Sequence, residues 1–170
     1  MSNCQYYNGK AITGNQDFDD GSSYRDAYKA LSNYGFTDEN LWPYDRSKFS
    51  EQPPQEAYTN ANKNLIKRYL SLTPCLYAIQ YAISQNLPVA FGTMIYENFK
   101  DLSEDFIVPL PSGKVLGGHA LCIYQYDNTT KLFGIINSWG VEFGKNGICY
   151  MRYEHVLNQE WSFDFWVITK

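Results

Sequence analysis

The stretch "GGHALCIYQYDNTTKLFGIINSWGVEFGKNGICYMRYE", residues 117–154, decides how this chain is read. It holds three β-prone apolar runs, "HALCIYQY", "KLFGIINSW" and "GICYMRY", separated by the turn signals "DNTT" and "GKNG". Antiparallel strands follow from that punctuation. His119 opens the first run and Asn137 closes the second, so a hairpin turning near Asn128-Thr129 pairs the two directly. A carboxamide oxygen beside a neutral imidazole accepts from one ring nitrogen and fixes the tautomer. The other nitrogen is then free to take a proton from a nucleophile. Trp139 stands where its ring can shield that bond from water. Spacing alone favours a plainer reading, a surface histidine at a strand end and a turn asparagine.

Working outward, 170 residues suffice for one domain with a real core, or for two small lobes sharing an interface. Fifteen Tyr and ten Phe argue for strands and clefts over a plain helical bundle, because buried tyrosine hydroxyls need partners. A net charge of -4 with no basic stripe argues against nucleic acid. No apolar run reaches the length of a membrane span. The start, "MSNCQYYNGK", lacks the hydrophobic core of a signal peptide. It implies an intracellular chain, or one whose preceding segment has been removed. Cys4, Cys75, Cys122 and Cys149 form no CxxC pair, which argues against a zinc site and for scattered, mostly buried thiols.

The first half reads as more helical. Residues 1–20 suggest a short aromatic strand and a polar loop. A helix follows, capped by Ser22 or Ser23, with Tyr24, Ala27, Tyr28, Leu31 and Tyr34 at helical spacing and Gly35 as its stop. The Pro-punctuated stretch 37–58 is expected to lie ordered on aromatic anchors Trp42, Tyr44 and Phe49. A short helix or turn is expected over 59–70. A further helix runs from a Thr73-Pro74 start to about Gln85, with Leu76, Ile79, Ala82 and Ile83 inward. "LPVAFGTMIY" is a buried strand, and "DFWVIT" closes the chain as another. His155 reads as a surface or helix-capping histidine. Asp17, Asp19 and Asp20 read as a solvated loop, or less simply as a preference for basic substrate side chains.

On "GGHA", "QYD", "NSWG" and "GICY", the second half resembles the papain-like (C1) cysteine peptidases. The first half is similar too, through "DDGSSYRDAYKALSNYGFTDENLWPYD", so that the likeness spans about residues 5–170. Three positions depart from the family pattern: Gln125 replaces a glycine, Phe143 replaces a second tryptophan, and Gly118 directly precedes His119. The resemblance implies an α+β, papain-like fold in a single domain. Residues 1–70 are the remainder of a helical lobe and 71–170 mainly an antiparallel β-barrel lobe, with the active site in the groove between lobes. It implies His119 as the catalytic base, Asn137 as its orienter and Trp139 as the ring over their bond. Gly21, Ser22 and Ser23 fall on the substrate-backbone segment. Tyr24, Gly92, Gly117 and Gly118 fall around the main side-chain pocket. No cofactor or metal is implied.

The family's nucleophile run, "QG.CGSCW", is absent, and so are its oxyanion glutamine and the central helix that carries the cysteine. Cys4 lacks the glycine-serine context, stands too near Gly21, and lies in what reads as a strand. Cys75 opens a helix, but one the resemblance places on the outside. Three explanations follow. The nucleophile comes from a separate N-terminal chain or an upstream segment; or the chain is a catalytically silent module of binding or structural role; or it is a truncated product. Loss of the central helix would bare the apolar face of the 23–34 helix, so the chain is expected to repack, to self-associate or to bind a partner carrying the cysteine helix. The expected ligand is a peptide or protein substrate, with no nucleic acid and no membrane.

Overall fold

The computed structural model describes residues 2–169 and divides into two compact units. One runs through Tyr69 and includes Ile168 and Thr169. The other is Leu70–Val167.

The first unit opens on α1 (Asn3–Thr13), where a strand and loop were expected. Tyr6 and Tyr7 carry β-propensity, but the termini decide the outcome. Ser2 caps the helix by accepting from the Gln5 N–H, and the Gln5 side chain returns the bond to the Ser2 N–H. Gly14, at φ 73°, closes it in the left-handed conformation. The next helix, α2 (Tyr24–Tyr34), forms where helical spacing placed it. Ser23 is its N-cap and Gly35 its stop. Ala27, Ala30 and Leu31 are buried. A Cβ added to Gly9 of α1 would lie 3.5 Å from the Ala27 backbone, so the two helices meet closely there. The apolar face of α2 is therefore covered, which matches the repacked alternative among the three expected.

The stretch after α2 contains two short 3₁₀ turns, Glu39–Leu41 and Arg46–Lys48. Trp42 and Phe49 are half-buried, whereas the Tyr44 side chain, expected as a third anchor, is exposed. A third helix, α3 (Gln55–Ala61), starts before the position expected for it, with Pro54 at its N-cap. Gly35 has no room for a side chain: a Cβ there would sit 1.9 Å from the Ala61 carbonyl oxygen. The strand β1 (Arg68–Ser71) follows, where only a helix or turn was expected.

In the second unit α4 (Leu76–Ser84) starts two residues later than Thr73-Pro74 suggested, with Cys75 at the N-cap and no side-chain cap bond. Ile79 and Ala82 face inward and are buried, with Leu76 and Ile83 packed at the margin. The strands β2 (Val89–Tyr96), β3 (Val115–Asp127), β4 (Leu132–Ile136) and β5 (Ile148–Arg152) run in chain order. The short helix α5 (Tyr153–Leu157) and the strand β6 (Ser162–Thr169) complete the chain. The sheet order is β1-β6-β2-β3-β4-β5, and β2 pairs antiparallel with both β3 and β6. Val89, Phe91, Ile123, Phe133, Ile135 and Met151 fill the core from one face. Each contributes roughly 1.5–3 kcal/mol of burial.

The β3–β4 hairpin differs from the simple one. Asp127 pairs with Leu132, so the turn spans four residues, and the register shifts between Ile123 and Gln125. On β3 the ladder partner of His119 is Thr93 of β2, not Asn137.

Candidate active site

His119 shares a face of β3 with the buried Leu121 and Ile123. Asn137 continues the row of Ile135 just past the end of β4. Alternation within each strand therefore turns both side chains to the core side of the sheet. The Asn137 N–H donates to the Gly147 carbonyl (3.0 Å), which moors it to the 140–147 turn. In that turn Gly140, Gly144 and Gly147 all have positive φ. A Cβ at Gly144 would lie 2.1 Å from the Ile148 carbonyl oxygen.

The two side chains meet at 2.8 Å, between His119 Nε2 and Asn137 Oδ1. The Ser138 N–H donates to the same Oδ1 at 2.7 Å. An amide nitrogen cannot accept that bond, so the carboxamide orientation is set. Oδ1 only accepts, so Nε2 carries the proton and donates. That leaves Nδ1 with its lone pair, and among the described residues it makes no hydrogen bond. Asn137 Nδ2 is buried and has no partner among the described residues. Burial of the ring pushes the His119 pKa below its ordinary value, and the bond to Asn137 works more weakly in the opposite direction. The imidazole is accordingly neutral at neutral pH, as a proton acceptor must be.

The Trp139 ring lies 4.7 Å from the His119 ring and nearly parallel to it. Phe99 and Phe143 meet the indole edge-on at 5.5 Å and 5.0 Å, and Lys100 Nζ lies 5.2 Å from its centroid. Phe143, where the resemblance places a tryptophan, thus still packs as an aromatic. Phe99 and Lys100 were not foreseen. They come from the 3₁₀ turn Glu97–Lys100 after β2, and nothing in their own sequence context ties them to Trp139.

Of the expected pocket residues, Gly92 pairs with Ala120 and with Phe163 across the sheet. The Phe163 ring comes within 2.6 Å of where a Gly92 Cβ would be, and within 3.9 Å of one on Gly118. Gly117, at φ 152°, is in open space. Gly21, Ser22, Ser23 and Tyr24 belong to the first unit. Gly21 has φ 89°, and Ser23 caps α2.

The cysteines require one correction. Cys4 sits in the first turn of a helix, where a thiol can be activated. It is nevertheless fully buried beside Asn8, and burial raises its pKa. Burial likewise raises Cys122, and it pushes Cys149 up to about 12. Cys75 is exposed. Among the described residues none of the four hydrogen-bonds His119. His155 is also corrected: it is 1% exposed and packs edge-on against Trp161 at 5.7 Å, and among the described residues neither ring nitrogen has a partner. Among the described residues no three His, Cys, Asp or Glu side chains group as a metal site, and no helix is long and apolar enough to cross a membrane.

This α+β architecture, with an imidazole oriented by an asparagine at the end of an antiparallel sheet, is the papain-like fold. Residues 4–162 match the papain family of cysteine proteases, and the chain belongs to that family. It is 32% identical over 177 aligned residues to an uncharacterised peptidase C1-like protein of Acanthamoeba polyphaga mimivirus. The match covers 97% of this chain and 57% of that protein's length. Xylellain, a cysteine protease from Xylella fastidiosa, superposes with a TM-score of 0.90 at 29% identity over 99% of this chain and 69% of its own. Digestive procathepsin L 3 of Tenebrio molitor larval midgut shares the fold at a TM-score of 0.72 and 16% identity, over 99% of this chain and 55% of its own.

Proposed function

We propose that this chain supplies the base and its orienter to a cysteine peptidase centre, with His119 and Asn137 in those roles and Trp139 covering their bond. The observation that supports this is the Asn137 oxygen, which takes both the Ser138 N–H and the His119 Nε2–H and leaves Nδ1 unprotonated and unengaged. A thiol brought to Nδ1 gives its proton to the ring. The thiolate attacks a peptide carbonyl carbon, the imidazolium returns the proton to the leaving amine, and a thioester remains. Water, deprotonated by the same nitrogen, hydrolyses the thioester and frees the thiol. The substrate is a peptide or protein. In the first unit Gly21, Ser22 and Ser23, followed by Tyr24, hold its backbone; in the second unit Gly92, Gly117 and Gly118 border a side-chain pocket. Among the described residues none of the four cysteines bonds His119, so on this reading an N-terminal segment or a partner chain supplies the thiol. That same observation favours the second reading, a catalytically silent module that keeps the fold for binding.

A peptidyl epoxide that alkylates activated thiols separates the two. The chain is treated alone and together with its co-purifying proteins, the label is located by mass spectrometry, and hydrolysis of a fluorogenic peptide is followed in parallel. Labelling and hydrolysis that vanish in His119→Ala support the peptidase. Equal labelling and turnover in wild type and His119→Ala overturn it, and neither signal under either condition favours the silent module.

A further inference from the structure

Tyr6, Gly9 and Lys10 stand at i, i+3 and i+4 on α1 and so share one helix face. Each meets a different residue of the segment 19–22. Tyr6 Oη donates to Asp19 Oδ1 at 2.8 Å and accepts from the Gly21 N–H at 3.1 Å. Lys10, buried in the unit, pairs its ammonium with the carboxylate of Asp20, which is itself 65% exposed. Gly9 has no side chain to spare: a Cβ there would sit 3.0 Å from Ser22 Oγ. A buried ammonium is costly without its counter-charge, so the pair draws Asp20 and the residues beside it onto the helix. On the far side Ser23 is fixed as well. Its Oγ accepts from the Asp26 N–H at 3.1 Å and donates to the Asp26 carboxylate at 2.6 Å.

Ser22 is thus suspended between two fixed neighbours, and among the described residues its main-chain N–H and C=O make no hydrogen bond. An extended peptide pairs with such a rung through two main-chain bonds. We infer that Tyr6, Gly9 and Lys10 are positioning residues that tether the Gly21–Ser23 segment and hold the Ser22 main chain ready for substrate backbone. The inference rests on the peptide-binding role given to that segment under Proposed function. It assigns no residue to the chemistry itself.

The test follows backbone amides of the full chain by NMR, before and during titration with acetyl-trialanine amide. In the wild type the Ser22 amide shifts as peptide is added. Tyr6→Phe removes one hydroxyl, raises the peptide Kd about tenfold and speeds hydrogen exchange at Ser22, while the melting temperature stays within a few degrees. Lys10→Arg keeps the cation and stays near wild type, whereas Lys10→Met and Asp20→Asn behave like Tyr6→Phe or worse. Unchanged Kd and exchange in both Tyr6→Phe and Asp20→Asn overturn the tether. So does a wild type in which peptide shifts His119 but not Ser22, an outcome that leaves the proposed function standing. Peptide shifts at neither residue, with Ser22 exchange still faster in Tyr6→Phe, overturn the peptide-binding reading itself and with it the tether's role in the site.

Discussion

The Trp139 indole lies face to face with the His119 imidazole, ring centroids 4.7 Å apart and planes 26° apart, and it takes water's place on that side of the ring. Burial is the larger influence on His119, and it disfavours the imidazolium. Trp139→Ala admits water there, so the His119 pKa rises. An NMR titration of the ring protons reads the change directly. The Phe99 and Phe143 rings lose their shared neighbour, so the melting temperature falls as well, by the several degrees expected of a large-to-small change at a half-buried aromatic. A His119 pKa that stays put or falls would show that the indole does not exclude water.

The Asn137 oxygen accepts from both His119 and Ser138. Asn137→Asp keeps both bonds and adds a negative charge against the ring, which stabilises the imidazolium and raises the His119 pKa. Asn137→Ala leaves the tautomer and the ring's rotation unset. Any peptidase activity that depends on His119 should then fall by roughly 10² to 10⁴, the range for a misplaced general base. The pH–rate profile distinguishes the two variants. Asp moves its acid limb to higher pH, while Ala lowers the plateau.

How much of this was legible beforehand follows the reach of the signals. Strands β2 to β6 announced themselves by apolar runs between turn residues, and α2 by helical spacing between Ser23 and Gly35. The pairing of His119 with Asn137 was inferred from a symmetric hairpin. The turn is longer than that and the ladder slips near Tyr124, yet the contact forms because both residues lie on the core face and Asn137 reaches back from beyond its strand. Helix α1 was missed although its signal was in plain text, Ser2 three residues before Gln5 with Gly14 at the far end. Paired tyrosines outweighed the caps. Phe99 and Lys100 lay beyond reach, since they join Trp139 only once the turn after β2 has folded beside it. His155 looked like a polar residue at a chain reversal. In α5 it turns inward, with the buried Tyr153 and Val156 as neighbours.

His155 makes the stability of the protein depend on acid. Burial, with help from the Arg152 cation, pushes its pKa down to about 4 from an ordinary 6.5. The unfolded chain therefore binds a proton that the folded chain refuses between those two values. The neutral ring's contribution is complete above about pH 6.5 and is lost as pH falls toward 4, in all about 3 kcal/mol. His119 shifts in the same direction, so the acid loss does not belong to His155 alone. His155→Leu isolates the share of His155. Thermal melts at pH 7 and pH 4.5 should converge in the variant relative to wild type. At pH 7 the variant should be no less stable, because two buried ring nitrogens with no partner among the described residues leave the core. A variant that loses as much between the two pH values as wild type does would place the acid sensitivity elsewhere.

The four thiols should separate by access alone. Cys75 is exposed at the start of α4, while Cys4 and Cys149 are fully buried and burial pushes the Cys149 pKa up to about 12. Alkylation requires the thiolate and a path to it. Iodoacetamide at pH 8 should therefore modify Cys75 first and Cys122, half-buried with a raised pKa, more slowly. Cys4 and Cys149 should react only when denaturant opens the fold. Peptide mapping by mass spectrometry at successive times gives the order. Rapid modification of Cys4 in the native protein would be the informative surprise. It would mean that the first turn of α1 opens readily and that the helix-terminal cysteine, though buried here, is available to chemistry after all.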